Sequence, residues 1–102
     1  WRFLTYSLEI NLKHDILLGL AENLELAGLL LLEEEQWEKS TLLLSKSGQM
    51  REELACPTPP VFIKNVDAGW ASLAEKVAPE KLSLWKEKGQ QLTTEESRNL
   101  FP

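Results

Sequence analysis

Cysteine is almost absent from this chain, because Cys56 is the only one among 102 residues. A single cysteine cannot form an intrachain disulfide, so a secreted scaffold held together by disulfides is excluded. This favours a reducing compartment, and we expect an intracellular protein of the cytoplasm or nucleus. Since the chain opens at Trp1 rather than at methionine, it has the character of an excised piece or a processed product.

Histidine is equally scarce, with His14 as the only one. One histidine and one cysteine cannot supply the ligands of a closed zinc site. His14 beside Asp15 is typical of a helix start or an exposed position, because adjacent helical side chains point about 100° apart and do not form a proton relay. The five glycines occur singly, so no glycine-rich phosphate loop is present. We therefore predict no catalytic, cofactor or metal site, no small-molecule substrate and no enzyme activity.

A long uninterrupted hydrophobic run is also missing. The most apolar stretch, Ile16 to Leu32, is interrupted by Glu22, Asn23 and Glu25. A membrane span needs about 20 consecutive, nearly uncharged residues. We therefore interpret this stretch as part of a folded core and expect no contact with a membrane.

Clusters of lysine and arginine are absent, and the formal net charge is −5. Residues 1 to 54 carry ten acidic and five basic side chains, whereas the remainder of the chain is balanced. Duplex binding depends on cationic side chains that displace the counterions of the phosphates. The acidic first half thus argues against nucleic acid as a partner, although it is also compatible with a solvated surface that only aids solubility.

What is present fits one ordinary globular domain. The chain is 102 residues long, 43% hydrophobic and 26% charged. From Leu4 to Leu12 apolar residues alternate with polar ones, which predicts a half-buried strand, although Leu4, Leu8 and Leu12 also satisfy helical spacing. Residues 14–27 predict a helix that ends at Gly28 as a left-handed cap. The apolar runs 29–34 and 41–45, joined by a polar tip, predict a β-hairpin.

Prolines divide the chain after this hairpin. Ser47 and Gly48 open a short helical segment that runs to Leu54, and Pro57, Pro59 and Pro60 prevent it from continuing. Residues 61–64 predict a short edge strand. The chain is thus expected to contain an N-terminal segment, a proline-containing connector and a C-terminal helical segment packed into the same domain, at residues 1–56, 57–66 and 67–102.

Helical signals dominate the C-terminal segment. Asp67 is a good N-cap for a helix, and Pro79 fits the first turn of another that ends near Gly89. Thr93 and Glu96 have the spacing of a capping box, which predicts a last short helix.

The chain has four tryptophans. Trp70 and Trp85 lie in helices with good apolar periodicity, which favours a place in the core. Trp37 lies among charged residues at the tip of the predicted hairpin. An exposed aromatic residue at a tip is a binding hypothesis, and packing back onto the domain is the alternative.

Residues 11–54 resemble the second half of a winged-helix domain. The resemblance is carried by a helix ending at Gly28, a leucine-rich run, a polar tip, and Leu44-Ser45-Lys46-Ser47-Gly48 leading into Arg51-Glu52-Glu53-Leu54. It is similar to the corresponding part of the MarR and PadR regulator families. The resemblance implies an α+β fold, with a winged-helix-like helix and β-hairpin followed by two or three short helices. It implies a recognition helix at His14–Ala27 and a wing at Leu32–Leu42.

The proposed recognition surface departs from that of DNA-binding members. Its outward positions hold Leu18, Glu22 and Glu25, where base and phosphate contacts require Arg, Lys, Asn or Gln. We therefore expect a winged-helix-like scaffold used for protein contact: a non-catalytic interaction module of a larger protein or complex, binding another protein or a second copy of itself. The candidate partner-binding residues are Leu18, Glu22, Glu25, Glu34, Glu35 and Trp37.

Two alternatives stay open from the residues alone. One is a DNA-binding transcriptional regulator of winged-helix type, with its contacts made through the lysines and the arginine of the second half. The other is an accessory domain of an enzyme whose active site lies elsewhere.

Overall fold

Six α-helices and no β-strand make up the protein, as seen in a computed structural model that describes residues 1–102. The helices are α1 Arg2–Lys13, α2 Leu17–Glu33, α3 Trp37–Glu53, α4 Pro60–Lys76, α5 Pro79–Gln90 and α6 Thr94–Arg98. They hold 78% of the residues. The predicted α+β class is therefore wrong. The resemblance to a winged-helix domain is not supported either, because no β-hairpin is present to form a wing.

The first predicted strand is helix α1. Leu4, Leu8 and Leu12 form a stripe four residues apart that faces α2 and α3, and Leu8 is fully buried there. Tyr6 and Ile10, the other apolar members of the alternating pattern, lie on the outer side of the helix and are exposed. The sequence pattern fits both the two-residue period of a strand and the 3.6-residue period of a helix. Burial against the neighbouring helices favours the helix.

Helix α2 does not end at Gly28, and the predicted left-handed cap there is wrong. Gly28 is buried inside the helix, where a Cβ atom would lie 2.7 Å from Leu44 Cγ of α3. The missing side chain lets the two helices approach closely, and Ser40 Oγ donates a hydrogen bond of 2.7 Å to the Gly28 carbonyl across the contact. Gly28 therefore serves helix packing, and α2 continues to Glu33.

The predicted hairpin arms and tip belong to α2 and α3. Leu42, Leu43 and Leu44 are consecutive and all buried, because α3 lies between α2 on one side and α5 on the other. The hydroxyl groups of α3 are satisfied by carbonyls, including those of neighbouring helices, as in the bond of 2.9 Å from Ser47 Oγ to Ala21 O. A helix buried on two sides has no single apolar stripe, so its sequence resembled two short strands.

The first three helices each end in the same tight turn. Asp15, Glu35 and Ala55 adopt positive φ angles of 51°, 61° and 51°. In each turn the next residue donates its N–H to a carbonyl five residues earlier, for example Gln36 N–H to Leu31 O at 2.9 Å. This is the Schellman motif, which usually places glycine at the left-handed position. The chain forms all three turns without glycine, which costs stability at each one.

Helix α4 begins at Pro60, seven residues before the predicted N-cap Asp67, and it includes the predicted edge strand Val61–Lys64. Proline suits the first helical position, because its missing N–H would have no partner there. The predicted helix from Pro79 is confirmed as α5. The predicted capping box is confirmed in α6, and the hydrogen bond from the Thr93 backbone N–H lowers the pKa of the Glu96 carboxyl below its ordinary value.

Two clusters of buried side chains form the core. The first lies among α1, α2 and α3 and includes Leu8, Leu24 and Leu43. The second joins α3 to α4 and α5 around Leu44 and Leu73, with Trp37, Trp70 and Trp85 packed against it. None of the six helices combines the length and the hydropathy that a membrane crossing requires.

Candidate functional site

A groove between α2 and α4 is the most apolar depression on the surface. Its apolar lining consists of Leu26 and Leu29 from α2 and Phe62 and Val66 from α4, and it encloses about 220 Å³. Leu26 is 48% exposed and Phe62 is 50% exposed. We refer to this depression as the α2–α4 groove.

The spacing of residues along α2 explains why this helix presents apolar side chains to solvent. Glu22, Leu26, Leu29 and Glu33 follow one another at steps of four, three and four, so they share the side of the helix opposite to the buried Leu24. Helix α2 is therefore apolar on two sides. One side packs against α1 and α3, and the other faces the groove.

A glycine of α4 allows this helix to approach α2 closely beside the groove. Gly69 is buried against α2, where a Cβ atom would lie 3.0 Å from Leu29 Cδ2 and 3.5 Å from Leu32 Cδ2. This close approach sets α4 alongside the second half of α2. Phe62 lies two turns earlier and stays half-exposed near Leu26.

An ion pair closes the end of the groove nearest the start of α4. Arg51 Nε lies 3.0 Å from Glu25 Oε2, and Arg51 Nη2 donates to Glu25 Oε1 at 3.3 Å. The side chains of Arg51 and Glu25 are only 6% and 10% exposed. This fork of two charge-assisted bonds holds the guanidinium and the carboxylate in a fixed orientation.

The same ion pair fastens the connector that leads into α4. Arg51 Nη1 donates to the carbonyls of Cys56 and Pro57 at 3.2 and 3.5 Å. The Thr58 hydroxyl donates to Glu25 Oε2 at 2.9 Å. The Glu25–Arg51 pair therefore links α2, α3 and the connector, and it positions the first residues of α4 at the groove.

The electrostatics of the groove are one-sided. Helix α2 contains Glu22, Glu25 and Glu33 and no lysine or arginine. Arg51 neutralises Glu25, whereas Glu22 and Glu33 are exposed and take part in none of the ion pairs of the protein. The α4 residues that line the groove are uncharged, and Asn65 is the polar one among them. The exposed charge of the groove is therefore acidic.

The six residues predicted to bind a partner fall into two groups. Leu18 and Glu22 are exposed on the groove side of α2, whereas Glu25 is buried and its carboxylate is occupied by Arg51 and Thr58. The remaining three, Glu34, Glu35 and Trp37, lie at the turn between α2 and α3. Along a helix that rises about 1.5 Å per residue, this turn is roughly 20 Å from Glu22. The structure does not bring the six together into one surface.

A second hollow surrounds the α2–α3 turn. It encloses about 510 Å³ and is lined in part by Trp37, Trp85 and Leu100. Trp37 is half-buried and packs against the second core cluster instead of standing free at a hairpin tip. The rim of this hollow combines glutamates with Lys39 and Lys88, so neither negative nor positive charge dominates. With its tryptophans engaged in the core and its charges mixed, this hollow is the weaker candidate.

Residues with catalytic potential are not gathered at either site. His14 is exposed at the C-terminal end of α1, and Cys56 lies half-buried in the connector. No group of three His, Cys, Asp or Glu side chains is arranged to hold a metal ion.

The prediction from sequence missed Leu26, Leu29, Arg51 and Phe62. A signal existed for the first two, since they share the helical side of Glu22. Leu29 was assigned to a strand, however, and Phe62 to an edge strand outside the helix. No pattern in the sequence pointed to the pairing of Arg51 with Glu25, which are far apart in the chain.

Comparisons of the chain with protein-family models, with curated proteins and with solved structures gave no match.

Proposed function

We propose that this chain is a non-catalytic interaction module of a larger protein or complex, and that it binds a segment of a partner protein in the α2–α4 groove. The observation that carries the proposal is the half-exposed apolar lining formed by Leu26 and Phe62 between two helices. Contiguous apolar surface rimmed by polar residues is typical of a protein-binding site.

The size of the groove favours side chains of a partner over a free small molecule. Small-molecule pockets usually measure roughly 300 to 1,000 Å³ and enclose most of the ligand. This groove encloses only about 220 Å³. It suits one or two apolar side chains presented by a larger surface, as in the docking of an amphipathic helix between two helices.

The composition supports two further parts of the proposal. The net charge of −5 disfavours nucleic acid as the partner. A single cysteine, half-buried and free, fits a reducing intracellular compartment.

A designed peptide tests the proposal. The probe is an amphipathic helix of about 18 residues, or five turns, with leucines along one side and glutamine on its flanks. We expect amide NMR signals of Leu26, Leu29, Phe62 and Val66 to shift on titration. Leu26→Ala should weaken binding about tenfold, because it removes apolar surface that the peptide buries.

Leu84→Ala is the matched control, since Leu84 is a 62% exposed leucine on α5 and away from the groove. It should leave the affinity unchanged. If the peptide produces no shifts, or shifts scattered over the surface that Leu26→Ala does not weaken, the proposed function is wrong.

A further inference from the structure

The groove combines apolar side chains with exposed charge of one sign, and this combination restricts the partner it fits. Leu26 and Leu29 lie between Glu22 and Glu33 on the same side of α2. The two glutamates are eleven positions apart, which corresponds to about three turns and 17 Å along the helix. Glu22 lines the groove and Glu33 lies one turn beyond Leu29, so acidic groups flank the apolar stripe of α2 at both ends.

No basic side chain of this protein satisfies either glutamate. The ion pairs of the protein join Arg51 to Glu25, and Arg98 to Glu9 and Glu95. Lys76 is the lysine closest to the groove side of α4, but it lies seven residues beyond Gly69, about 10 Å past the level of Leu32. Glu22 and Glu33 are thus left unpaired beside the apolar lining.

The third glutamate of α2 is excluded from this acidic rim. Glu25 is buried and fully engaged by Arg51 and the Thr58 hydroxyl. A partner therefore meets two separate negative charges with a neutral, apolar surface between them.

We infer that the partner is a basic amphipathic helix, with an apolar stripe that enters the groove and lysine or arginine residues three turns apart that pair with Glu22 and Glu33. This inference rests on the proposed function, because it assumes that the groove binds a protein segment. Charge complementarity carries it, since α2 offers two unpaired acidic groups and no basic one. A spacing of three turns fits a helix bound in either direction, because both ends of the apolar stripe on α2 carry the same charge.

Three peptides separate this inference from the proposed function. They share the leucine stripe of the probe described above and differ only at two flanking positions eleven residues apart, which hold lysine, glutamine or glutamate. Fluorescence anisotropy should give an affinity for the lysine peptide about tenfold above that for the glutamine peptide, because two exposed ion pairs contribute roughly that factor. The glutamate peptide should bind more weakly than both.

Charge reversal locates the effect. The double variant Glu22→Lys and Glu33→Lys should prefer the glutamate peptide over the lysine peptide. Glu87→Lys, an exposed position on the outer side of α5, should keep the original order. A lysine peptide that responds equally to both kinds of variant is attracted only by the overall charge, and that result overturns the inference.

The remaining outcomes are also distinct. If all three peptides bind with equal affinity and Leu26→Ala weakens each one, the groove binds protein but its partner need not be basic, and the inference falls alone. If none binds, the proposed function falls with it. If sedimentation shows a dimer that Leu26→Ala dissociates, the occupant is a second copy of the chain and the inference is wrong.

Discussion

Replacing Arg51 by leucine should destabilise the protein by about 3 to 5 kcal/mol, because it leaves a buried carboxylate without its charge partner. Arg51 makes two bonds to Glu25 and two further ones to the carbonyls of Cys56 and Pro57. After the substitution, the Thr58 hydroxyl is the one remaining donor to Glu25. Each lost bond to a charged group accounts for about 1.5 to 3 kcal/mol, which agrees with the range for a broken buried pair.

The double variant Glu25→Leu and Arg51→Leu should be more stable than Arg51→Leu alone. Removing both charges abolishes the cost of an unpaired buried carboxylate, and well-packed apolar residues can replace a buried ion pair at little cost. We expect an interaction energy of about 2 kcal/mol or more in this double-mutant cycle.

Urea unfolding, followed by far-UV circular dichroism at neutral pH, measures all four members of the cycle. Arg51→Lys is a useful intermediate, because it keeps the charge but loses the planar fork. It remains measurable if Arg51→Leu does not fold, and it should be less stable than the native protein and more stable than Arg51→Leu. A cost below about 1 kcal/mol for Arg51→Leu, the value of an exposed pair, would contradict a stabilising role for the buried pair. A double variant no more stable than Arg51→Leu would contradict it as well.

Three further predictions concern backbone geometry and capping, and thermal or urea unfolding checks each. Gly89→Ala should destabilise the protein by about 2 kcal/mol, because the new Cβ would lie 2.5 Å from Leu42 O. Gly48 has open space around it, so Gly48→Ala should stabilise the protein by about 0.5 to 1 kcal/mol. Equal effects of the two substitutions would contradict the close contact of Gly89 with α3. Ala55→Gly should stabilise by about 1 kcal/mol by relieving the positive φ angle, and a loss of stability would contradict that origin. Thr93→Ala should cost about 1 kcal/mol. The pKa of Glu96 is lowered in the folded state, so its ionised carboxylate stabilises the fold fully above the ordinary value of 4.5, and this stabilisation is lost as the pH falls through the lowered pKa. The free energy of unfolding of Glu96→Ala should therefore approach that of the native protein in acid and lie below it at neutral pH.

The candidate site was predictable only in part. The acidity of α2 and the exposure of Glu22 follow from the residue pattern, and they led to the prediction of a binding surface on this helix. Glu25 belonged to the same pattern, yet it is buried, because Arg51 and Thr58 approach it from parts of the chain that no local rule connects to α2. The α4 side of the groove could not be predicted while residues 61–64 were assigned to a strand.

Features that depend on neighbouring residues could be predicted from the sequence alone. The start of α5 at Pro79 and the capping box of Thr93 and Glu96 need only local backbone chemistry, and both were predicted correctly. Charge balance and the lack of a disulfide also follow from composition alone. Such features hold whatever the rest of the chain does, because the interacting groups lie within one turn of each other.

The fold class and the shape of the groove depend on contacts between residues that are distant in the chain. Leu4 to Leu12 satisfies the period of a strand and of a helix, and packing against α2 and α3 selected the helix. Gly28 resembles a helix end by local rules, but close contact with Leu44 makes it the middle of α2. Helix α3 gave no single apolar stripe, since neighbours bury it on two sides. In each case the deciding energy comes from residues distant in the chain, and local periodicity contains no information about them.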